Sequence, residues 1–255
     1  MVQSVERTLD VLEVIASSDD EVSLSEVCER VGLPLGTVHR LLGTLLARGY
    51  AVQNKATRHY GPGPRLLEVA ARAANNQRFD LRRIGREALR ELTAATGETS
   101  NLLLRRGSAV VYVEQVVSQQ TVRMFTEVGQ HAPLYCTGGG KAILASLPAG
   151  QLEAYLAATR LEPHTTHTIT TPEQLRRELE ETRQRGFALD NEEHELGVRC
   201  VAAPIFDHSG ACVAALSISG PATRLSAERA LAFGPLVRQA AAICSAQLGY
   251  GGAAR

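Results

Sequence analysis

The stretch SLSEVCERVGLPLGTVHRLLGTLLARGYAVQNKATRHY, residues 23–60, decides how the first part of the chain folds. Ser23 followed three residues later by Glu26 is a capping box: two side chains reciprocally satisfy amides that a helix start leaves free. A short helix therefore begins here and ends near Gly32. Pro34 suits the first turn of the next helix, where its missing N–H removes no bond. Within that helix Val38, Leu41, Leu42 and Leu45 fall on one apolar stripe. Tyr50–Asn54 and Arg58–Tyr60 then read as two short strands around the turn Lys55–Thr57. Upstream, Val2, Val5, Leu9, Leu12 and Ala16 recur at helical spacing, giving a first helix that stops before the acidic turn SSDDE. Helix, short helix, tight turn, helix and two-stranded ribbon is the order of a winged helix-turn-helix. An ordinary small helical bundle shares the helices but gives no reason for the ribbon.

Charge separates these two readings. The chain of 255 residues carries 27 Lys plus Arg against 27 Asp plus Glu, so its overall balance says nothing of a polyanion. The distribution is uneven, however. Between Arg30 and Leu67 stand Arg30, Arg40, Arg48, Lys55, Arg58 and Arg65, with no acid among them. Joined by His39 and His59, this basic run is a candidate footprint for nucleic acid, set against chance clustering. On the third helix the side away from the apolar stripe carries Gly36, Arg40, Gly43 and Ala47, flanked by Thr37, His39 and Thr44. Small residues let the backbone approach a groove, and Arg40 is the one long arm able to reach a guanine edge or phosphate. The free amides beside Pro34 and Thr37 favour a phosphate oxygen. Lys55 and Arg58 in the wing are placed for phosphate or minor-groove contact. The candidate DNA-binding set is Pro34, Gly36, Thr37, His39, Arg40, Thr44, Lys55 and Arg58.

The remainder reads differently. Residues 63–78 form an Ala-rich connecting helix carrying Leu66, Val69, Ala70 and Ala73. Asp80–Thr96 forms another helix, ended by Gly97. After it the period changes to that of strands: Thr99–Arg105, Ala109–Val117, Val122–Val128, Gly186–Leu189, Cys200–Phe206 and Cys212–Ser219. Helices from Gly139, from Leu152 and from the Thr171-Pro172-x-Gln174 cap lie between the third and fourth strands. A long helix, Ala227–Leu248, follows the last. The expected organisation is a winged helix-turn-helix over 1–62, a connecting helix over 63–78, an α+β sensor domain with a mostly antiparallel six-stranded sheet over 79–250, and a flexible tail over 251–255.

Five cysteines with no C-x-x-C pair fit neither a disulfide framework nor a zinc ribbon, so reduced thiols are expected. No charged-then-apolar leader opens the chain, and no apolar run of about 18 residues occurs. A soluble, cytoplasmic protein with no membrane partner is expected.

Three further motifs invite chemistry. LYCTGGGKAILA, residues 134–145, sets three glycines before a lysine and a helix. A phosphate-binding loop requires G-x-x-x-x-G-K-[ST]; here Tyr135 stands where the first glycine belongs and Ala142 where the hydroxyl belongs. The nucleotide reading fails, while the helix-start amides still favour an anion. Lys141 reads as a neutraliser of carboxylates or a solvated side chain rather than a ligand contact. Cys200, with His194 as base, could be a nucleophile, against a buried thiol lining a pocket, with no orienting carboxylate evident. Cys136, Cys200, Asp190 and His131 follow no ligand spacing, and His164 and His167 read as exposed loop residues, so no metal and no cofactor is expected. Ser217 and Ser219 alternate with apolar neighbours and so share one strand face.

SVERTLDVLEVIA, GLPLGTVHRLLGTLLARGYA, YGPGPRLLEVA and, at 197–221, GVRCVAAPIFDHSGACVAALSISGP resemble the IclR family of bacterial transcription regulators. Where that family commonly has Lys-Ser after the proline, this chain has Leu35-Gly36, losing one positive charge. The resemblance implies a GAF-like effector domain whose pocket includes Gly138, Gly139, Asp190, Val198, Cys200, Ser217 and Ser219 and accepts a small organic or aromatic acid. It also implies homodimers or homotetramers acting on palindromic operators, as repressor or dual regulator of an adjacent catabolic operon. The rival readings are a DNA-tethered cysteine- or metal-dependent enzyme, and an architectural DNA protein with a vestigial sensor.

Overall fold

The computed structural model describes residues 2–74 and 81–252, in two compact units, Met1–Asn76 and Gln77–Arg255. In the first, α1 (Gln3–Ala16), α2 (Leu24–Val31) and α3 (Leu35–Ala47) precede a ribbon of β1 (Ala51–Gln53) and β2 (Tyr60–Pro62), then α4 (Arg65–Ala74). The capping box at Ser23 and Glu26 forms as expected, and Gly32 ends α2 with φ 65°. Pro34 is the N-cap of α3 rather than its first helical residue. Val11, Ile15, Val27, Val38 and Leu42 close the small core. Each such burial stabilises by about 1.5–3 kcal/mol.

The ribbon departs from expectation. Its second strand starts at Tyr60, paired with Gln53, so Arg58 and His59 belong to the turn. Asn54 Oδ1 accepts the Ala56 N–H at 3.0 Å, and Arg58 takes φ 64°, which together lengthen the turn. Gly61 and Pro62 continue the second strand, paired with Val52 and Ala51. Pro62 stands at the strand's last position, where its lost N–H is tolerated. Residues 75–78 of the expected connector, Asp80 of the next helix and residues 253–255 of the expected tail lie outside the described residues.

The second unit is a six-stranded antiparallel sheet in the order β5-β4-β3-β8-β7-β6. Its elements are α5 (Leu81–Thr96), β3 (Thr99–Arg106), β4 (Ala109–Val116), β5 (His131–Pro133), α6 (Gly138–Ala145), α7 (Ala149–Ala158), α8 (Pro172–Arg185), β6 (Ala188–Asn191), β7 (Val198–Phe206), β8 (Cys212–Pro221) and α9 (Ala227–Gln247). Alternation along β7 and β8 sends Val201, Ala203, Leu216 and Ile218 into the core with α5 and α9. Ala202 and Ala215 turn to the opposite core, shared with α6, α7 and α8. Polar residues on that second face therefore meet α6.

The third strand is misplaced in the sequence reading. Residues 122–128 form no strand, and Val122, Phe125 and Val128 are exposed. The partner of β4 is His131–Pro133, because Gly129 N–H donates to Tyr112 O and Tyr112 N–H donates to Gln130 O before the ladder starts. β-Branched and aromatic residues mark a strand only where an edge exists to pair with.

Candidate DNA-reading helix and effector cavity

α3 presents Pro34, Gly36, His39, Arg40, Gly43 and Thr44 to solvent, with Thr37 half-buried, while Val38, Leu41, Leu42 and Leu45 hold it to the core. The helical period thus divides the predicted set cleanly from the packing stripe. Lys55 and Arg58 are exposed at the wing tip. Among the described residues, the side chains of Arg40, Lys55 and Arg58 have no ion-pair partner. The nearby acid is engaged: Asn54 Nδ2 donates to Glu21 Oε2 at 2.9 Å, and Thr57 Oγ1 donates to the same oxygen at 3.4 Å. A helix with an exposed small-residue face and a cationic wing can enter a groove and hold phosphates on either side.

All seven predicted effector residues line one cavity in the second unit. Strand register explains the convergence. Asp190 of β6 pairs with Cys200 of β7, which pairs with Ser219 of β8. One step along, Ser217 pairs with Asn101 of β3, which pairs with Gln115 of β4. The sheet thus carries two adjacent polar rows beneath the start of α6. The cavity is small, about 20 Å³, room for about one water.

Thr137 caps α6, its hydroxyl accepting the Gly140 N–H at 3.2 Å, and every residue of the helix is buried. The glycines serve packing as well as access. A Cβ at Gly138 would stand 2.8 Å from Cys200 Sγ, and one at Gly140 2.2 Å from Leu134 O. Only glycine lets this helix lie so close to the sheet. Lys141 is neither solvated nor in the cavity lining: its ammonium, 1% exposed, pairs with Glu193 and, at 3.5 Å, with Glu178.

Burial governs the electrostatics. Asp190 is pushed up to about 7, first by desolvation and then by Glu193, with Lys141 partly opposing. Its Oδ1 accepts the Glu193 N–H at 2.8 Å. Cys200 is pushed up to about 12, chiefly by burial, and so stays a thiol. His194 is held below the ordinary imidazole value by burial and by His164. The imagined Cys200–His194 pair is not formed: His194 Nδ1 lies 3.8 Å from Cys136 Sγ. A protonated thiol without its base is no nucleophile.

Several residues escaped the sequence reading. Asn101 Nδ2 donates to Ser219 Oγ at 3.1 Å and Ser217 Oγ at 3.4 Å, while its Oδ1 accepts from Thr126 and Gln115. Leu103, Tyr112, Met124, Thr137 and Glu195 also line the cavity, beside His194. The available signal was Asn101 itself, an amide directly before the apolar run Leu102–Leu104. His164 is exposed in a loop, as expected, and its ring also packs edge-on against His194 with centroids 5.3 Å apart. His131 and His167 do not join them.

A winged helix-turn-helix with a basic wing and an exposed Arg40, in one chain with a domain that holds a small buried polar cavity, defines the class: ligand-responsive, DNA-binding transcriptional regulators. The comparisons make the class specific. Residues 4–55 match the IclR helix-turn-helix domain, and 73–246 match the bacterial transcriptional regulator IclR C-terminal domain. The chain belongs to the IclR family. It is 39% identical over 240 residues to the HTH-type transcriptional regulator BhcR of Paracoccus denitrificans, covering 94% of this chain and 85% of that one. To the transcriptional repressor IclR of Escherichia coli it is 37% identical over 253 residues, covering 98% and 91%. A crystal structure of a putative IclR transcriptional regulator from Silicibacter sp. TM1040 superimposes with a TM-score of 0.80 at 29% identity, covering 97% of this chain and 96% of the other. Members of this family bind DNA and small-molecule effectors and are regulators rather than enzymes. No helix among the described residues is long and apolar enough to cross a membrane.

Proposed function

We propose that the chain is a cytoplasmic repressor or dual regulator of an adjacent catabolic operon, responding to a small carboxylic acid. The observation that carries the effector reading is the pair of polar rows, with Asp190, Cys200, Ser219, Ser217 and Asn101 collected around one cavity in an apolar sheet. Hydroxyls and an amide buried together there can exchange their mutual bonds for bonds to a carboxylate. The α6 amides add positive potential. Asp190, half protonated near neutral pH, donates a hydrogen bond to the acid in its neutral form.

A cavity with room for about one water must widen to admit such a ligand. The walls outside the sheet and α6 are Met124 in the 117–130 loop and His194 and Glu195 after β6. An effector that prefers the widened form shifts the equilibrium by its differential affinity. In a homodimer or homotetramer that shift alters the separation of paired α3 helices, which must match palindromic half-sites about one helical turn or a multiple apart. In this reading Arg40 contacts a base edge or phosphate, the residues around Pro34, Gly36, Thr37, His39 and Thr44 approach the groove, and Lys55 and Arg58 hold the flanking backbone.

The test is thermal denaturation of the full chain with a panel of small mono- and dicarboxylic acids, repeated on Ser217→Leu. At least one acid should raise the midpoint of the wild type and leave Ser217→Leu unmoved. Equal shifts in both proteins, or none in either, refute the cavity.

A further inference from the structure

Cys136, His164 and His194 play no part in that reading as a group, yet the fold brings all three together. The Cys136 sulfur and one ring nitrogen from each imidazole lie within 4.8 Å of one another. Cys136 Sγ and His194 Nδ1 are 3.8 Å apart. We propose that these residues form a binding site for a zinc-class divalent transition metal, with three protein ligands and a fourth position open. The proposal stands whatever the effector is.

Ligand chemistry selects the metal class. One thiolate with two imidazoles suits Zn²⁺ and Co²⁺ and is unsuited to Mg²⁺ or Ca²⁺, which demand oxygen. Around tetrahedral zinc, with bonds of about 2.3 Å to sulfur and about 2.0–2.1 Å to nitrogen, neighbouring ligand atoms stand roughly 3.5 Å apart. The Cys136–His194 separation is close to that value, and the third ligand needs a shift on the order of 1 Å to close the triangle. Binding replaces the sulfur–hydrogen bond of Cys136 by a sulfur–metal bond, and the proton leaves to solvent.

The surroundings orient the ligands. Tyr135 O–H donates its single proton to Glu162 O at 2.8 Å. At 3.1 Å from His164 Nε2 that oxygen can therefore only accept, so Nε2 carries the hydrogen and Nδ1 the lone pair. A fixed tautomer held by an outer partner is what a metal-binding imidazole requires. The loop is fastened to the segment that carries His194. Thr168 Oγ1 accepts the His164 N–H at 3.0 Å and donates to Glu193 O at 2.6 Å, and Thr165 Oγ1 donates to Glu192 O at 2.7 Å. Cys136 is held immediately before the Thr137 cap of α6. Because His194 also lines the effector cavity, the site adjoins it.

The experiment is titration of chelator-treated full-length protein with Co²⁺, read by the thiolate-to-cobalt charge-transfer band and the tetrahedral ligand-field bands, then competed with Zn²⁺. One Co²⁺ per chain should saturate both signals, and Zn²⁺ should displace it. Cys136→Ser should lose the charge-transfer band. His164→Ala, at an exposed position that folding tolerates, should weaken binding by more than about tenfold, and Tyr135→Phe by about tenfold, as for an outer-shell partner. His164→Ala decides the matter if Cys136→Ser does not fold. The proposal is overturned if no band develops at millimolar Co²⁺, if the band persists in Cys136→Ser, or if His164→Ala binds as tightly as wild type.

Discussion

Replacing Lys141 by methionine tests the electrostatic centre of the effector domain. The ammonium is 1% exposed and faces two carboxylates, Glu193 at 8% side-chain exposure and Glu178 at 21%. Glu178 keeps a second cation, Arg185, at 2.9 Å, but Glu193 has no other cation within salt-bridge range among the described residues. Methionine fills much the same volume, so the loss is chiefly one of charge. Leaving one member of a buried pair uncompensated costs about 3–5 kcal/mol. Glu193 already lies above the ordinary carboxylate value because of burial, with Lys141 opposing that rise. Removing Lys141 raises it further, so the variant can take up a proton instead of holding a bare charge. The loss is therefore smallest in acid, where Glu193 holds its proton, and grows as pH rises through its raised titration. Urea unfolding of the effector-domain transition, followed by circular dichroism at fixed protein concentration, measures it. Lys141→Met with Glu193→Gln should recover most of the stability, giving a coupling on the order of 2 kcal/mol or more. A loss below about 1 kcal/mol for Lys141→Met, flat with pH, refutes the reasoning.

If protonated Asp190 donates to an anionic effector, affinity should fall roughly tenfold between pH 6 and 8, following a group that titrates at about 7. Calorimetric titration of the full chain checks it, and Asp190→Asn should flatten the profile. Because the folded-state value is raised, the native protein holds a proton that the unfolded chain has lost between pH 3.8 and about 7, so this group's contribution to stability falls as pH rises through that window. Gly140→Ala would press a methyl against Leu134 O and should cost about 1–3 kcal/mol or more in thermal or urea unfolding, whereas Gly150→Ala, with open space around it, should not. Ser23→Ala removes the α2 cap and should cost about 1 kcal/mol in the N-terminal transition.

Much of the fold is legible because its signals are local. The Ser23–Glu26 box, the glycine stop at Gly32 and the stripe through Leu42 are read from neighbours a few residues apart, and all form. The ribbon and third strand were legible only in part. Strand identity at 122–128 depends on a pairing edge, and the wing's register depends on Asn54 and on the backbone of Arg58, neither of which has a periodicity. The seven effector positions came from resemblance, yet β6–β7–β8 register supplies the physical reason that Asp190, Cys200 and Ser219 meet. The partners of Asn101 and the Cys136–His164–His194 group were illegible because strand pairing and loop fastening join residues distant in sequence. Burial of Lys141 was likewise hidden, since a lysine at a helix start ordinarily reaches solvent.

The central claim is that effector binding in this cavity controls DNA binding by α3. Its most direct measure is the affinity of the full chain for the DNA upstream of its own gene, by fluorescence anisotropy at fixed salt, with and without the acid that stabilises the protein. That affinity should change by roughly 5–150-fold in wild type and by nothing in Ser217→Leu, while Arg40→Ala loses specific binding altogether. An acid-dependent change that survives Ser217→Leu, or specific binding that survives Arg40→Ala, contradicts the account.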